Sequence, residues 1–268
     1  MTLPPITNQQ QAILRLIYKY RFLDRTQIQK LLGHNDKKRS IAWLKDLRDK
    51  QYVSWIYDGH NFAEKIKPAV YFLNLNGVRY LRTLKQFPAA ELRKRYRESS
   101  RQPDFITRCR LLADCCLNLE TQSKLIDGLK YSTIIAADYA DPASNYHFLS
   151  ELSPPLCFVK QQTTPGEVIV TNYLLEVFDA TTPRYMVKKR LKDYVEYLAD
   201  GDWERATGEA KSPNALLACP TTAELIYAKR RTRRLLEDSG DDNNIHIRFA
   251  TVQQIRLHGI TGKIWEEV

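Results

Sequence analysis

Across the first 87 residues the spacing of apolar side chains changes period twice, and that succession restricts the fold more than any single motif. Ile13, Leu16, Ile17 and Tyr20 recur at three- and four-residue intervals, which places them on one buried helical face. Asp24 precedes Arg25-Thr26-Gln27, an N-cap with a polar partner three residues on, and the second helix carries Ile28, Leu31 and Leu32 up to Gly33. Asn35 or Asp36 caps a third helix, with Ile41, Leu44 and Leu47 expected inward. From Tyr52 to Tyr57 the residues become aromatic and β-branched and end at the turn pair Asp58-Gly59. A second strand, Ala69 to Asn74, leads into Gly77-Val78-Arg79-Tyr80-Leu81 on a further helix. Helix, helix, helix, strand, strand is the order of the winged helix-turn-helix, so residues 1–87 are expected to be a DNA-binding domain of that type.

The segment from Phe87 to Pro103 is punctuated by Pro88, Ser99, Ser100 and Pro103 and encloses Arg93-Lys94-Arg95-Tyr96-Arg97. Residues 88–103 therefore read as a basic linker with a solvated helical run open to phosphate contact. Beyond it helices and strands alternate. Phe105, Cys109, Leu112, Cys116 and Leu119 form one stripe on a helix from Asp104 to Leu119. Strands are expected at Tyr131–Ala136, Pro155–Val159 and Val168–Phe178, and a helix from Thr182 to Leu198. Ala215–Cys219 is a short strand, Thr221 caps a helix to about Glu237, Ile245–Ala250 is another strand, and a short helix begins at Thr251. This order implies a mixed sheet covered on both faces. The expected class is α+β, with an α/β domain over residues 104–268.

Charge divides along the same boundary. The net charge is +10, yet residues 1–100 hold 20 Lys+Arg against 8 Asp+Glu, and the remainder hold 21 against 23. Such segregation points to a polyanion-binding module joined to a near-neutral domain. No run approaches the roughly 18 consecutive apolar residues of a spanning helix. Met1-Thr2-Leu3-Pro4-Pro5 has neither a basic leader nor an apolar run, so no secretory signal is expected, and neither is a membrane partner. Cys109, Cys115, Cys116, Cys157 and Cys219 form no C-x-x-C pair, which reads as reduced thiols in a cytoplasm without structural zinc. There is no phosphate-binding glycine loop and no nucleophile elbow. The five histidines are scattered, and no cofactor is expected.

With Ile41, Leu44 and Leu47 inward, Lys38, Arg39, Ala42 and Asp46 of the third helix point outward and Trp43 and Lys45 lie at the flanks. Lys37, Lys38, Arg39 and Ser40 fall in the first turn, where a recognition helix meets base edges and phosphates. Arg39 suits a bidentate contact to guanine, while the lysines and Ser40 suit phosphates. Trp43 and Lys45 are counted with them as DNA-binding candidates, although Trp43 suits the edge of the core better than a base contact. Lys65 and Lys67 flank the wing tip, within reach of a neighbouring backbone or minor groove.

Three strands after a helix, then a helix–strand unit, is the order of the restriction-endonuclease-like fold. Such nucleases place an Asp at the start of the second strand and Glu-x-Lys on the third, with Mg²⁺ between the carboxylates. Here Glu176 lies on the third strand, but Phe178 stands in the lysine position and Ser153-Pro154-Pro155 replaces the acid. Lys188, Lys189 or Lys192 would have to reach back from the following helix. A lone carboxylate does not make a divalent-ion site. Glu176, the one weak catalytic candidate, is therefore expected to be a structural acceptor, and the chain no enzyme and without a metal. The second basic run, Lys229 to Arg234, reads as a solvated helix face, with a second nucleic-acid contact as the alternative.

Three stretches together resemble the replication-relaxation family of plasmids and integrative elements. They are the N-terminal pattern with Tyr71-Phe72-Leu73-Asn74-Leu75-Asn76-Gly77, then Tyr173-Leu174-Leu175-Glu176-Val177 with Arg190-Leu191-Lys192-Asp193-Tyr194, and a tail. The tail comprises Ala215 to Thr221, the basic helix, Ile247-Arg248-Phe249-Ala250-Thr251, and Gly262 before Trp265. The family's Pro-Asp stands here as Pro154-Pro155, its Glu-Val-Asp as Glu-Val-Phe-Asp, and Arg190 replaces the usual lysine. The resemblance implies a double-stranded-DNA-binding accessory of mobile-element replication, or of relaxation and mobilisation at a transfer origin. Its second domain would be a degenerate nuclease that scaffolds, forms a homodimer, or docks a relaxase or replication protein. The alternatives are a winged-helix transcriptional regulator and a Mg²⁺-dependent DNA endonuclease whose cleavage would disappear in Glu176→Ala.

Overall fold

The computed structural model describes residues 3–57, 60, 66–239 and 245–268. Contacts divide the chain into two compact units, Met1–Leu117 with Ala140–Pro142, and Asn118–Tyr139 with Ala143–Val268. The class is α+β, with a small antiparallel sheet in the first unit and a mixed sheet in the second. No helix among the described residues is long and apolar enough to cross a membrane.

In the first unit, α1 (Asn8–Tyr20) opens on a capping box in which Thr7 and Gln10 accept each other's backbone N–H. Asp24 ends β1 (Leu23–Asp24) and caps α2 (Arg25–Leu31) through the same reciprocal pair with Gln27, as their spacing predicts. Asp36, not Asn35, caps α3 (Lys37–Asp49). β2 (Val53–Ile56) and β3 (Val70–Leu73) pair antiparallel, and β1 lies along the far side of β3. The expected turn at Asp58-Gly59 lies outside the described residues.

After β3, Asn74 caps α4 (Leu75–Thr83). Where this helix begins, the chain crosses the end of α3 so closely that only glycine fits at position 77. A Cβ there would fall well inside contact distance of the Tyr52 carbonyl oxygen, which is fixed by the 2.9 Å bond it accepts from Asn74 N–H. Ile13, Leu14, Ile17, Ile28, Leu44, Leu47, Tyr52 and Leu81 are fully buried and make the core of this unit. Burying an aliphatic side chain of this kind contributes about 1.5–3 kcal/mol of transfer free energy.

Residues 88–103 carry the expected helical run. They form α5 (Ala89–Arg95) and a 3₁₀ turn (Glu98–Ser100), with Leu92, Arg95 and Glu98 turned inward at three-residue spacing. Arg21 donates to both oxygens of Glu98 at 2.8 and 3.0 Å. Arg95 lies 5.0 Å over the ring of Tyr18, with its Nη1 3.6 Å from Glu91 and 3.8 Å from Glu98. The run expected to be wholly solvated thus sends one of its arginines into the core, while Arg93, Lys94 and Arg97 stay exposed.

α6 (Pro103–Leu125) follows, then the second unit's strands β4 (Leu129–Ile135), β5 (Leu156–Thr164) and β6 (Glu167–Val177), with a short α7 (Ala136–Tyr139) and a 3₁₀ turn (His147–Ser150) after β4. After β6 come α8 (Arg184–Ala199), α9 (Asp202–Thr207), β7 (Asn214–Cys219) and α10 (Thr222–Ser239). β8 (Ile247–Thr251), α11 (Val252–His258) and β9 (Glu266–Glu267) complete the chain. The sheet runs β4-β5-β6-β7-β8-β9, antiparallel from β4 to β6, parallel from β6 to β8, and antiparallel at β9. All six residues of β7 are buried, so both faces of the sheet are covered there. Leu174, Leu191, Tyr194, Ala215, Leu217, Leu225 and Phe249 belong to the main core. The expected strands and helices of this half are all present, while α7, α9 and β9 had not been anticipated.

Candidate nucleic-acid interface

The basic turn of α3 begins at Asp36, whose Oδ1 accepts the backbone N–H of Lys38 at 2.8 Å and of Arg39 at 3.2 Å. Lys37, Lys38 and Arg39 are exposed, and Arg39 Nε stands 3.7 Å from the Asp36 carboxylate. Three cations in the first turn, with no acid inside it, oppose the helix dipole. Each costs about 0.3–1 kcal/mol at such a position, offset in part by the Asp36 cap. Helix stability alone gives no reason for this arrangement.

The register of α3 differs from expectation by one position. Ser40, assigned above to phosphate contact, is 0% exposed and donates its hydroxyl to the Asp36 carbonyl at 3.1 Å. Ile41, expected inward, is 44% exposed. Serine in a helix satisfies its hydroxyl on the preceding turn, so burying Ser40 leaves no polar atom unpaired and lets α3 pack closely. With Ser40, Leu44 and Leu47 inward, the opposite face at about 100° per residue carries Lys38, Ala42, Lys45 and, at its far end, Asp49. Lys45 therefore moves from flank to outer face.

Asp46, expected outward, instead accepts from the buried Gln10 at 2.6 Å and from Lys50 at 2.8 Å. The Lys50 ammonium, with help from Gln10, holds the Asp46 carboxyl below its usual pKa. Trp43 is half-buried and meets His34 edge-on at 4.9 Å, a core-edge position. Lys67 is exposed, and Lys65 lies outside the described residues.

The face continues beyond the residues expected to contact DNA. Arg48 places its guanidinium 4.2 Å above the Trp55 ring on β2, and Trp55 meets Tyr57 at 5.5 Å and Tyr71 at 6.1 Å. The signal was present in the aromatic run from Tyr52 to Tyr57 and in the spacing of Lys45 and Arg48.

Glu176, near the end of β6, is buried and accepts on both carboxylate oxygens. One carboxylate oxygen accepts Arg190 Nε at 2.8 Å and also Arg190 Nη2, and the other accepts the Val177 N–H at 3.0 Å. Arg190 Nη1 donates to the Leu152 carbonyl at 2.7 Å and stands 3.7 Å from Asp193. Burial by itself would lower the pKa of Arg190, but Glu176, Tyr194 and Asp193 together outweigh it and the net shift is upward. Arg190, rather than Lys188, Lys189 or Lys192, is the cation on Glu176; Lys192 pairs with Glu196 at 3.1 Å. The Pro154 carbonyl accepts the Tyr139 hydroxyl at 2.9 Å, so the turn that lacks the expected acid is held by a neutral bond. Among the described residues no group of three or more His, Cys, Asp or Glu side chains is placed to hold a metal ion.

On α10, Arg230, Arg233 and Arg234 are exposed, Thr232 is buried, and Lys229 pairs with Glu266 at 3.2 Å. The second basic run is thus an outer face for half its length and a packing face for the rest.

No curated protein matches the sequence at a significant level. A family model described as replication-relaxation matches residues 14–212, which takes in α3, β2, Glu176 and Arg190. Two of the three stretches that carried the resemblance fall inside that range, and the tail lies beyond it. The chain belongs to the replication-relaxation family.

Proposed function

We propose that this protein is a sequence-specific duplex-DNA-binding accessory of mobile-element replication or of relaxation and mobilisation. The first unit would act as a winged helix-turn-helix, with α3 in the major groove. Lys37, Lys38, Arg39 and Lys45 contact phosphates and base edges in this reading, and Lys67 reaches the flanking backbone. The observation that carries it is the exposed cationic first turn of α3, whose Lys38 stands opposite Ser40, Leu44 and Leu47 with Lys37 and Arg39 to either side. The concentration of positive charge in residues 1–100 supports it at longer range.

The second unit, in this reading, is a nuclease-like domain that cuts nothing and docks a relaxase or replication protein. The support is chemical: Arg190 already neutralises Glu176, and among the described residues no group of three or more His, Cys, Asp or Glu side chains is placed to hold a metal ion such as Mg²⁺.

The test is a mobility shift on duplex DNA from the element's own replication or transfer origin, against unrelated duplex competitor. Replacing Lys38 and Arg39 by alanine should weaken specific binding by about 1–3 kcal/mol for each residue that reads a base. Unchanged binding by that double variant removes α3 as the reading element. Cleavage of the same DNA with Mg²⁺, lost in Glu176→Ala, would reverse the assignment of the second unit.

A further inference from the structure

Beyond the basic turn, the outer side of α3 continues into an aromatic surface that duplex recognition does not use. Lys38, Ile41, Lys45 and Arg48 follow one another at three- and four-residue steps, so they share one side of the helix. They span about 15 Å, roughly the axial rise of four nucleotides of one strand. At the far end stands Trp55, 40% exposed although Arg48 covers one ring face at 4.2 Å. Ile56 and Tyr57 beside it are each 43% exposed. Trp55 pairs across the sheet with Tyr71, whose buried ring backs it from within at 6.1 Å, and Tyr57 flanks it at 5.5 Å with the ring planes 34° apart.

We infer that the Arg48–Trp55–Tyr57 surface stacks unpaired bases of a locally opened DNA strand, whose phosphates run along Lys38 and Lys45. The inference rests on the DNA-binding reading above and deepens it by naming the form of DNA. Its warrant is the pairing of chemistries. Aromatic rings beside a row of cations complement a chain that alternates flat apolar bases with phosphates. In an intact duplex the flat faces of the bases are covered by their neighbours, so an exposed tryptophan has little to gain there. A strand with unstacked bases offers those faces, and each base–aromatic stack weighs enough to set preference between the two forms. Arg48 contributes to the ring by cation–π attraction, and a passing phosphate would displace Asp49, which now accepts from its Nη2 at 3.2 Å.

The experiment compares a labelled duplex oligonucleotide with the same duplex carrying a central run of T·T mismatches, bound to the full chain. The mismatched probe should bind more tightly. Trp55→Leu, which keeps apolar bulk and removes the π face, should lose roughly 5- to 150-fold on that probe and leave the paired duplex unchanged. Trp55→Phe should keep most of the preference, and circular dichroism of both variants checks that β2 is intact. Equal binding of the two probes by the unaltered protein overturns the inference, as does equal loss in Trp55→Leu and Trp55→Phe. Either result with duplex binding still dependent on Lys38 leaves the duplex reading standing. Trp55-dependent binding of the mismatched probe without any duplex binding overturns the duplex reading alone.

Discussion

Glu98 is where charge and packing in the first unit meet, and removing it should be costly. The carboxylate is 1% exposed and takes two bonds from Arg21, with Arg101 Nε at 3.6 Å and Arg95 Nη1 at 3.8 Å. In Glu98→Ala, Arg21 and Arg101 are exposed enough, at 20% and 33%, to be rehydrated. Arg95, at 3%, is not, and is left with Glu91 at 3.6 Å as its nearest acid. Breaking a buried pair from one side costs about 3–5 kcal/mol, and the remaining Glu91 places this case near about 3 kcal/mol. Urea titration should show the midpoint falling with the slope unchanged. Replacing both partners, Arg95→Met with Glu98→Leu, should recover most of the loss, because no charge is then buried alone. A loss below about 1 kcal/mol in Glu98→Ala would refute the claim that this ion cluster ties residues 88–103 to the first unit.

Three further outcomes follow from packing and titration. Gly77→Ala should destabilise by about 1–3 kcal/mol in the same titration, since the Tyr52 carbonyl it meets is held by Asn74. Arg190→Lys should cost about 1.5–3 kcal/mol, because an ammonium cannot hold both Glu176 and the Leu152 carbonyl as the guanidinium does. Burial pushes the thiols of Cys157 and Cys219 up to about 12, from an ordinary value of 9.0. Their folded pKa values lie above the unfolded ones, so the stability they lend is complete below about pH 9 and is lost as pH rises towards 12. Titration with an aromatic disulfide reagent should find all five buried cysteines inert in native protein near pH 8 and reactive in urea; prompt reaction of the native thiols would contradict this.

Local signals were legible where they are written in adjacent residues. The Asp24–Gln27 box and the β-branched strands β4 and β6 identify their elements because each needs only neighbours within a few positions. The face of α3 was misjudged by one residue because 40/44/47 and 41/44/47 both satisfy a helical period. What decides between them is the bond from Ser40 to Asp36, which lets a polar residue take the inner position. Arg95 reads as solvated because a charge defaults to water, and its burial beside Glu98 depends on Arg21 and Tyr18 far away in sequence. Arg190 reaches Glu176 from a different element, a pairing that no spacing rule announces. Arg48 and Trp55 escaped notice for the same reason, since helix and strand meet only in the fold. The short α9 did leave a mark, since Gly201 and Gly208, both at positive φ, bracket it.

The salt dependence of duplex binding tests the central claim most directly. If α3 lies against DNA, log K should fall steeply and linearly with log salt, and each phosphate-contacting lysine replaced by alanine, Lys38 or Lys45, should reduce the slope by about 0.9. A slope that is shallow, or identical in the unaltered protein and in Lys38→Ala with Lys45→Ala, would show that this face of α3 does not meet the phosphates.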